Sequence, residues 1–244
     1  MTAPARISQA MVLAAGLGTR MRPHSESLPK PLVRLARRAL IDHVLDRLAE
    51  NGVERAVVNV HHLAEQIEAH LAGRAAPRIV ISDERGRLLE TGGGVAKALP
   101  LFDGAPFFIH NSDSVWIEAG RSNLAALADA WSADRMDALL LLAPASRSLG
   151  YDGRGDFHMT SGGAVARRGP ADAAPFVFTG VSVAHPRLFE AAPAGPFSLN
   201  RLWDAALARG RVFGVEHQGL WMHVGDPAAL AAAEDALARS QAAQ

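Results

Sequence analysis

Between Met11 and Pro31 the chain sets Gly16 and Gly18 beside Thr19, Arg20 and Arg22, and closes on Pro29-Lys30-Pro31. Small residues let a ligand come close to the backbone, and successive exposed N–H groups form a nest for anions. With Arg20, Arg22 and Lys30 as fixed cations, the anion expected is a polyphosphate. Two glycines after a strand are also an ordinary tight turn. The length, polarity and charge of this loop favour binding. It has neither the Gly-Lys-Ser/Thr of a P-loop nor the third glycine of a dinucleotide loop. Prolines at 29 and 31 restrict the backbone on both sides of Lys30, which holds its ammonium in place. The chain's other lysine is Lys97.

Three further stretches carry candidate chemistry. Asp113 follows an apolar run and Asn111-Ser112. A carboxylate there can bind Mg²⁺, which takes one or two carboxylates plus phosphate oxygens and water, or it can cap a turn. Glu90-Thr91-Gly92-Gly93-Gly94 can bring backbone against a base or sugar, with Glu90 accepting from ring N–H groups. Trp221-Met222-His223-Val224-Gly225-Asp226 offers a His and an Asp, or a structural His and a helix-capping Asp before Pro227. No Gly-x-Ser-x-Gly or other arrangement suggests a covalent nucleophile.

The chain has 244 residues, 49% of them hydrophobic, which is enough for a sizeable core. Formal net charge is +0, without the basic excess of a nucleic-acid binder. With Cys 0, disulfides and thiolate metal sites are excluded. No apolar run approaches the roughly 20 residues of a membrane span, and residues 1–9 do not read as a signal peptide. A cytoplasmic enzyme is the expectation, with no nucleic-acid or membrane partner, acting as monomer or homodimer.

The elements that must hold these residues follow from periodicity. Residues 1–9 read as a loose lead-in. Strands are expected over 10–15, 54–60 and 78–82, with helices from Leu40 to Asn51-Gly52 and on the Leu63, Ile67, Leu71 face between them. Residues 31–35 read as a short extended piece. The glycines at 92–94 read as a loop opening a short helix over 95–99, with Thr91 as its N-cap. A strand over 106–110 ends at Asn111-Ser112-Asp113, a helix carries Leu124, Leu127, Ala128 and Trp131, and 137–143 is a long apolar strand expected at the centre of the sheet. Strand-like pieces follow over 156–160, 164–167, 175–184, 211–216 and 220–224. Helical pieces are expected over 186–191, 199–209 and 227–240. The fold class is α/β: a Rossmann-like, mixed, mainly parallel sheet flanked by helices, with a β-rich lobe. One domain is expected over 1–244, with a nucleotide-binding core over about 10–145 and a sugar-binding lobe and closing helix over about 146–244. Three candidate loops end strands, where open α/β sheets bind ligands.

Leu13-Ala14-Ala15-Gly16-Leu17-Gly18-Thr19-Arg20-Met21-Arg22-Pro23 with Pro29-Lys30-Pro31 resembles the signature of the sugar-1-phosphate nucleotidyltransferases. The later segments at 89–94, 111–113, 153–157, 178–182 and 221–225 follow it along nearly the whole chain. Glu-Thr-Gly-Gly-Gly and Gly-Arg-Gly-Asp-Phe resemble the branch acting on N-acetylmuramic acid 1-phosphate with UTP. Mannose, glucose or heptose 1-phosphate with GTP, dTTP or CTP is the enzymatic alternative, and a silent sugar-nucleotide-binding paralogue the other. The resemblance implies attack of a sugar phosphate oxygen on the α-phosphorus, with loss of pyrophosphate and with Mg²⁺ as cofactor. It implies that Ala14, Ala15, Gly16, Gly18, Thr19 and Asn111 bind the nucleotide, with Glu90 and Gly93 at base and ribose. Arg20 would hold the pyrophosphate, Lys30 the α-phosphoryl, and Asp113 the metal. Asp156, Thr179 and Gly180 would line the sugar pocket. Where the family carries a second metal carboxylate, this chain has His223. Either His223 ligates, Asp226 substitutes after a local shift, or Asp113 works with phosphates and water.

Overall fold

A computed structural model describes residues 6–242. In chain order the elements are β1 (Gln9–Leu13), β2 (Arg34–Leu35), β3 (Arg38–Ala39), α1 (Leu40–Glu50), β4 (Arg55–Val60), α2 (Ala64–Leu71), β5 (Arg78–Asp83), α3 (Glu90–Ala98), β6 (Phe107–Asn111) and β7 (Ser114–Glu118). They continue with α4 (Asn123–Ala130), β8 (Ala138–Pro144), β9 (Phe157–Met159), β10 (Val165–Arg167), β11 (Phe176–Ala184), α5 (Leu199–Leu207), β12 (Val212–Glu216), β13 (Gly219–His223) and α6 (Pro227–Ala242).

The main sheet runs β5-β4-β1-β6-β11-β8-β12, with β9 and β10 added beyond one end of β11. Strands β5, β4, β1 and β6 are parallel; β11 is antiparallel to both β6 and β8, and β12 is parallel to β8. The mixed, mainly parallel α/β fold is thus as the sequence implies. Side chains alternate across the sheet: Ala10 and Val12 join a core with α1, α2 and α4, whereas Met11 joins another with α3 and α5. Burial on both faces accounts for the unbroken apolar strands.

A third core lies under the loop after β1. Met21, Val33, Leu35 and Leu40 meet Met222, Val224 and Leu230, tying that loop to β13 and α6. Met21 is fully buried, which contributes about 1.5–3 kcal/mol to holding the loop.

Several local expectations are corrected. Strand β1 ends at Leu13, and Ala14 and Ala15 already belong to the loop. Residues 31–35 divide into a 3-10 turn, Lys30–Leu32, and the two-residue β2. Leu63 stands before α2 with φ 50, not in the helix. The glycines at 92–94 lie inside α3, and Thr91 is not its cap. Strand β8 is second from the edge, between β11 and β12, and β6 holds the middle. Strand β7, paired antiparallel with β13, was not expected at all. The lead-in read over 1–9 falls outside the described residues up to 5; beyond them Ile7 is buried, and Ser8 O accepts from Glu54 N at 2.8 Å.

Candidate active site

Where β1, β4 and β6 end, a cavity of about 340 Å³ opens. Its walls come from the loop after β1, the start of α3 and the turn after β6. Ala14 N–H donates to Asn59 Oδ1 at 2.7 Å. After it, the N–H groups of Ala15, Gly16, Leu17 and Gly18 meet no protein acceptor among the described residues. They are therefore available to an anion. Gly18 has φ 64, and a Cβ there would fall 2.8 Å from Lys30 Cβ, so only glycine lets the loop lie against the Lys30 segment. Its carbonyl accepts from Ser25 Oγ at 2.6 Å and from Met21 N at 2.9 Å. Thr19 and Arg20 follow, both exposed, and both line the cavity. Arg20 has no ion pair among the described residues, which leaves its charge for a ligand.

Lys30 starts the 3-10 turn that Pro29 caps, with Leu32 N donating to Pro29 O at 2.8 Å. Its Nζ donates to Asp113 Oδ2 at 2.5 Å. Burial works to raise the Asp113 pKa, but the Lys30 charge and hydrogen bond outweigh it. The carboxyl is held below its ordinary value and stays ionised. Asp113 Oδ1 accepts from no other residue's donor among the described residues, which leaves it able to face a cation.

His223 ends β13 opposite Ser114, its ring 5.8 Å from that of Trp221. Burial lowers its pKa, and Lys30 and Arg20 add to this against the pull of Asp113 and Asp226. The neutral imidazole thus sits within the field of Asp113. Asp226 is engaged elsewhere: its Oδ1 accepts from Ala229 N at 2.9 Å in the first turn of α6. Among the described residues no three His, Asp or Glu side chains are grouped to hold a metal by themselves. A cation at Asp113 must draw its other ligands from phosphates and water, a donor set that suits Mg²⁺.

The remaining candidates divide. Leu88, Glu90 and Thr91 line the cavity, and Glu90 is exposed with φ 60, a strained conformation for a non-glycine residue. Gly93 does not face the cavity: its N–H donates to Phe197 O at 3.1 Å, and a Cβ would fall 2.5 Å from Gly195 O. The triple glycine serves close packing of α3 against the segment before α5. Thr91 Oγ1 joins it, accepting from Leu199 N at 2.9 Å. Asn111 lines the cavity, and Gly180 lies against its side chain in a bulge of β11. Thr179 and Asp156 hold the protein together: Thr179 Oγ1 donates to Leu141 O at 2.9 Å, and Asp156 Oδ2 accepts from Phe178 N at 2.9 Å.

Of two residues that sequence reasoning passed over, Asn59 lines the cavity and Glu84 stands behind it. Asn59 Nδ2 donates to Glu84 Oε1 at 2.8 Å, and Glu84 Oε2 accepts from Leu89 N at 3.1 Å. The one signal was Asn59 itself, a polar residue inside the apolar run of β4.

Residues 10–242 match the MobA-like NTP transferase domain family. The chain is 52% identical over 235 residues, 95% of its length and 97% of the relative's, to an N-acetylmuramate alpha-1-phosphate uridylyltransferase of Caulobacter vibrioides. It is 35% identical to the protein of that name from Neisseria meningitidis, covering 89% of this chain and 93% of that one. An inositol-1-phosphate CTP transferase from T. maritima shares the fold, with TM-score 0.73, 22% identity and 92% of each chain covered.

Proposed function

The chain belongs to the MobA-like NTP transferase domain family, and from this premise we propose that it transfers UMP from UTP to N-acetylmuramic acid 1-phosphate, releasing pyrophosphate. The observation that carries the reading is the run of four free N–H groups at 15–18 beside the Lys30–Asp113 pair. Such a site suits a triphosphate held next to one ionised carboxylate. The choice of uridylyl and N-acetylmuramate rests on the 52% identical relative.

In this reading no protein nucleophile is required. The phosphate of the sugar attacks the α-phosphorus, the bond to the β-phosphate oxygen breaks, and pyrophosphate departs. Catalysis is positioning plus stabilisation of charge that shifts toward the leaving group. The N–H groups of 15–18 and the Thr19 loop would cradle the triphosphate, with Arg20 facing the pyrophosphate end. Lys30, held by its flanking prolines, would sit against the α-phosphoryl. Mg²⁺ would be held by Asp113, with His223 alongside, and supplies neutralisation of phosphate charge when bound. Glu90 and Thr91 would meet the nucleoside. Asn111 would meet the nucleotide and Gly180, against its side chain, the sugar phosphate, with the segment over 10–145 holding the nucleotide and that over 146–244 the sugar.

A matrix of UTP, CTP, GTP and dTTP against N-acetylmuramic acid, glucose, mannose and heptose 1-phosphates, read as pyrophosphate release with Mg²⁺, tests the reading. Turnover is expected to be highest for UTP with N-acetylmuramic acid 1-phosphate. A higher kcat/KM for another pair replaces the substrate assignment. Release with no pair, alongside sugar-nucleotide binding, makes the chain a silent paralogue.

A further inference from the structure

Glu84 is 1% exposed, and no cationic side chain pairs with its carboxylate among the described residues. A carboxylate kept there carries a large desolvation cost, and apolar packing would serve stability alone at least as well. What it does have is two N–H donors on two walls of the cavity. One oxygen accepts from Asn59 Nδ2, and the other from the backbone of Leu89, just before Glu90 and Thr91. Asn59 is 2% exposed, and its own oxygen accepts from Ala14 N, the residue from which the phosphate loop departs. The unbroken path is Ala14–Asn59–Glu84–Leu89. Space around it is closed, since a Cβ on Gly94 would fall 2.7 Å from Glu84 Oε1 and 2.9 Å from Asn59 Nδ2.

We propose that Asn59 and Glu84 are positioning residues for the nucleotide: a buried relay that fixes the gap between the phosphate loop and the nucleoside wall at Leu88–Thr91. The inference rests on the nucleotidyl-transfer reading above. Asn59 lines the cavity and Glu84 lies behind it. Their action is to hold Ala14 N–H and Leu89 N–H at one separation, so that the triphosphate and the nucleoside are gripped together. A misplacement of about 1 Å in such a grip can cost on the order of 100-fold in rate.

The polarity of the relay supplies its own test. In Glu84→Gln the new amide must turn a donor toward either Asn59 Nδ2 or Leu89 N–H, so one bond is lost. In Asn59→Asp the new carboxylate still accepts from Ala14 but opposes Glu84. In the double variant the amide at 84 donates to the carboxylate at 59 and accepts from Leu89, and the whole path is restored. Each single variant is expected to raise KM for the nucleoside triphosphate at least about tenfold, with KM for the sugar phosphate within about twofold. The double variant is expected to recover most of that loss. A single variant that lowers Tm but leaves nucleotide KM unchanged overturns the proposal, as does a double variant no better than the worse single. Should Glu84→Gln yield little folded protein, Glu84→Asp keeps the charge, shortens the reach by one carbon, and is expected to give the same KM split. Amide exchange of Ala14 and Leu89 in the free protein separates this proposal from its parent. Wild-type protein without turnover defeats the parent reading, and exchange rates unchanged in the single variants defeat the relay.

Discussion

Lys30 Nζ and Asp113 Oδ2, 83 residues apart in sequence, lie 2.5 Å apart at the floor of the cavity. The two side chains are 12% and 20% exposed, so neither charge is well served by water. Each is therefore the other's main counter-charge until a ligand arrives. Replacing Lys30 with Ala removes the partner of Asp113 and, in the proposed reaction, the cation for the substrate phosphate. Turnover in the pyrophosphate assay is expected to fall by at least about 100-fold, the scale of losing one charge-stabilising donor. Asp113→Asn is expected to do the same while far-UV circular dichroism stays native. Wild-type rates in either variant would remove both residues from the mechanism.

His223 stands beside Asp113 as a neutral ring, held so chiefly by burial. Imidazole is a weak partner for Mg²⁺ compared with a carboxylate. His223→Asp is expected to lower the Mg²⁺ concentration at half-maximal rate several-fold, and His223→Ala to leave it unchanged or higher. A titration of rate against Mg²⁺ decides this. Half-saturation unmoved by a carboxylate at 223 would place the metal away from this position.

Gly93 is packed under Gly195, with no room for a methyl group. Gly93→Ala is expected to destabilise the fold by about 1–3 kcal/mol, the usual cost of overpacking, measured by urea unfolding. Unchanged stability with a raised nucleotide KM would instead mean that Gly93 approaches the base, as the family resemblance implies.

These cases mark what the sequence could and could not disclose. The loop after β1 was legible because its parts are local: an apolar run, two glycines, two arginines and a lysine framed by prolines, all within residues 11–31. Lys30 and Asp113 were each visible, but their contact comes from β1 and β6 lying side by side. The triple glycine misled because helix propensity is a weak prior: three glycines open a loop in isolation, yet here tertiary packing against Phe197 keeps them helical. Strand β7 was missed because its partner, β13, lies about a hundred residues downstream and the main sheet does not extend to it. Thr179 and Asp156 have the residue types of a sugar site. Their side chains bond to backbone that only the pairing of β11 brings near.

His217 is a buried titratable ring. It is 1% exposed, edge-on to Trp116 with ring centroids 5.6 Å apart, and neither ring nitrogen has a hydrogen-bond partner among the described residues. Burial, then the charges of Arg47 and Arg147, push its pKa down to about 4. An unfolded histidine titrates near 6.5. Between about pH 6.5 and 4 the unfolded chain therefore binds the extra proton, and stability falls as pH is lowered through that window. The full span of the shift corresponds to an upper bound on the order of 3 kcal/mol. His217→Phe keeps the ring and removes the proton site. Urea unfolding at pH 7 and at pH 4.5 should show the variant gaining on wild type by roughly 1–3 kcal/mol more at the lower pH. Equal differences at the two values would mean that His217 is not the group whose protonation weakens the fold in acid.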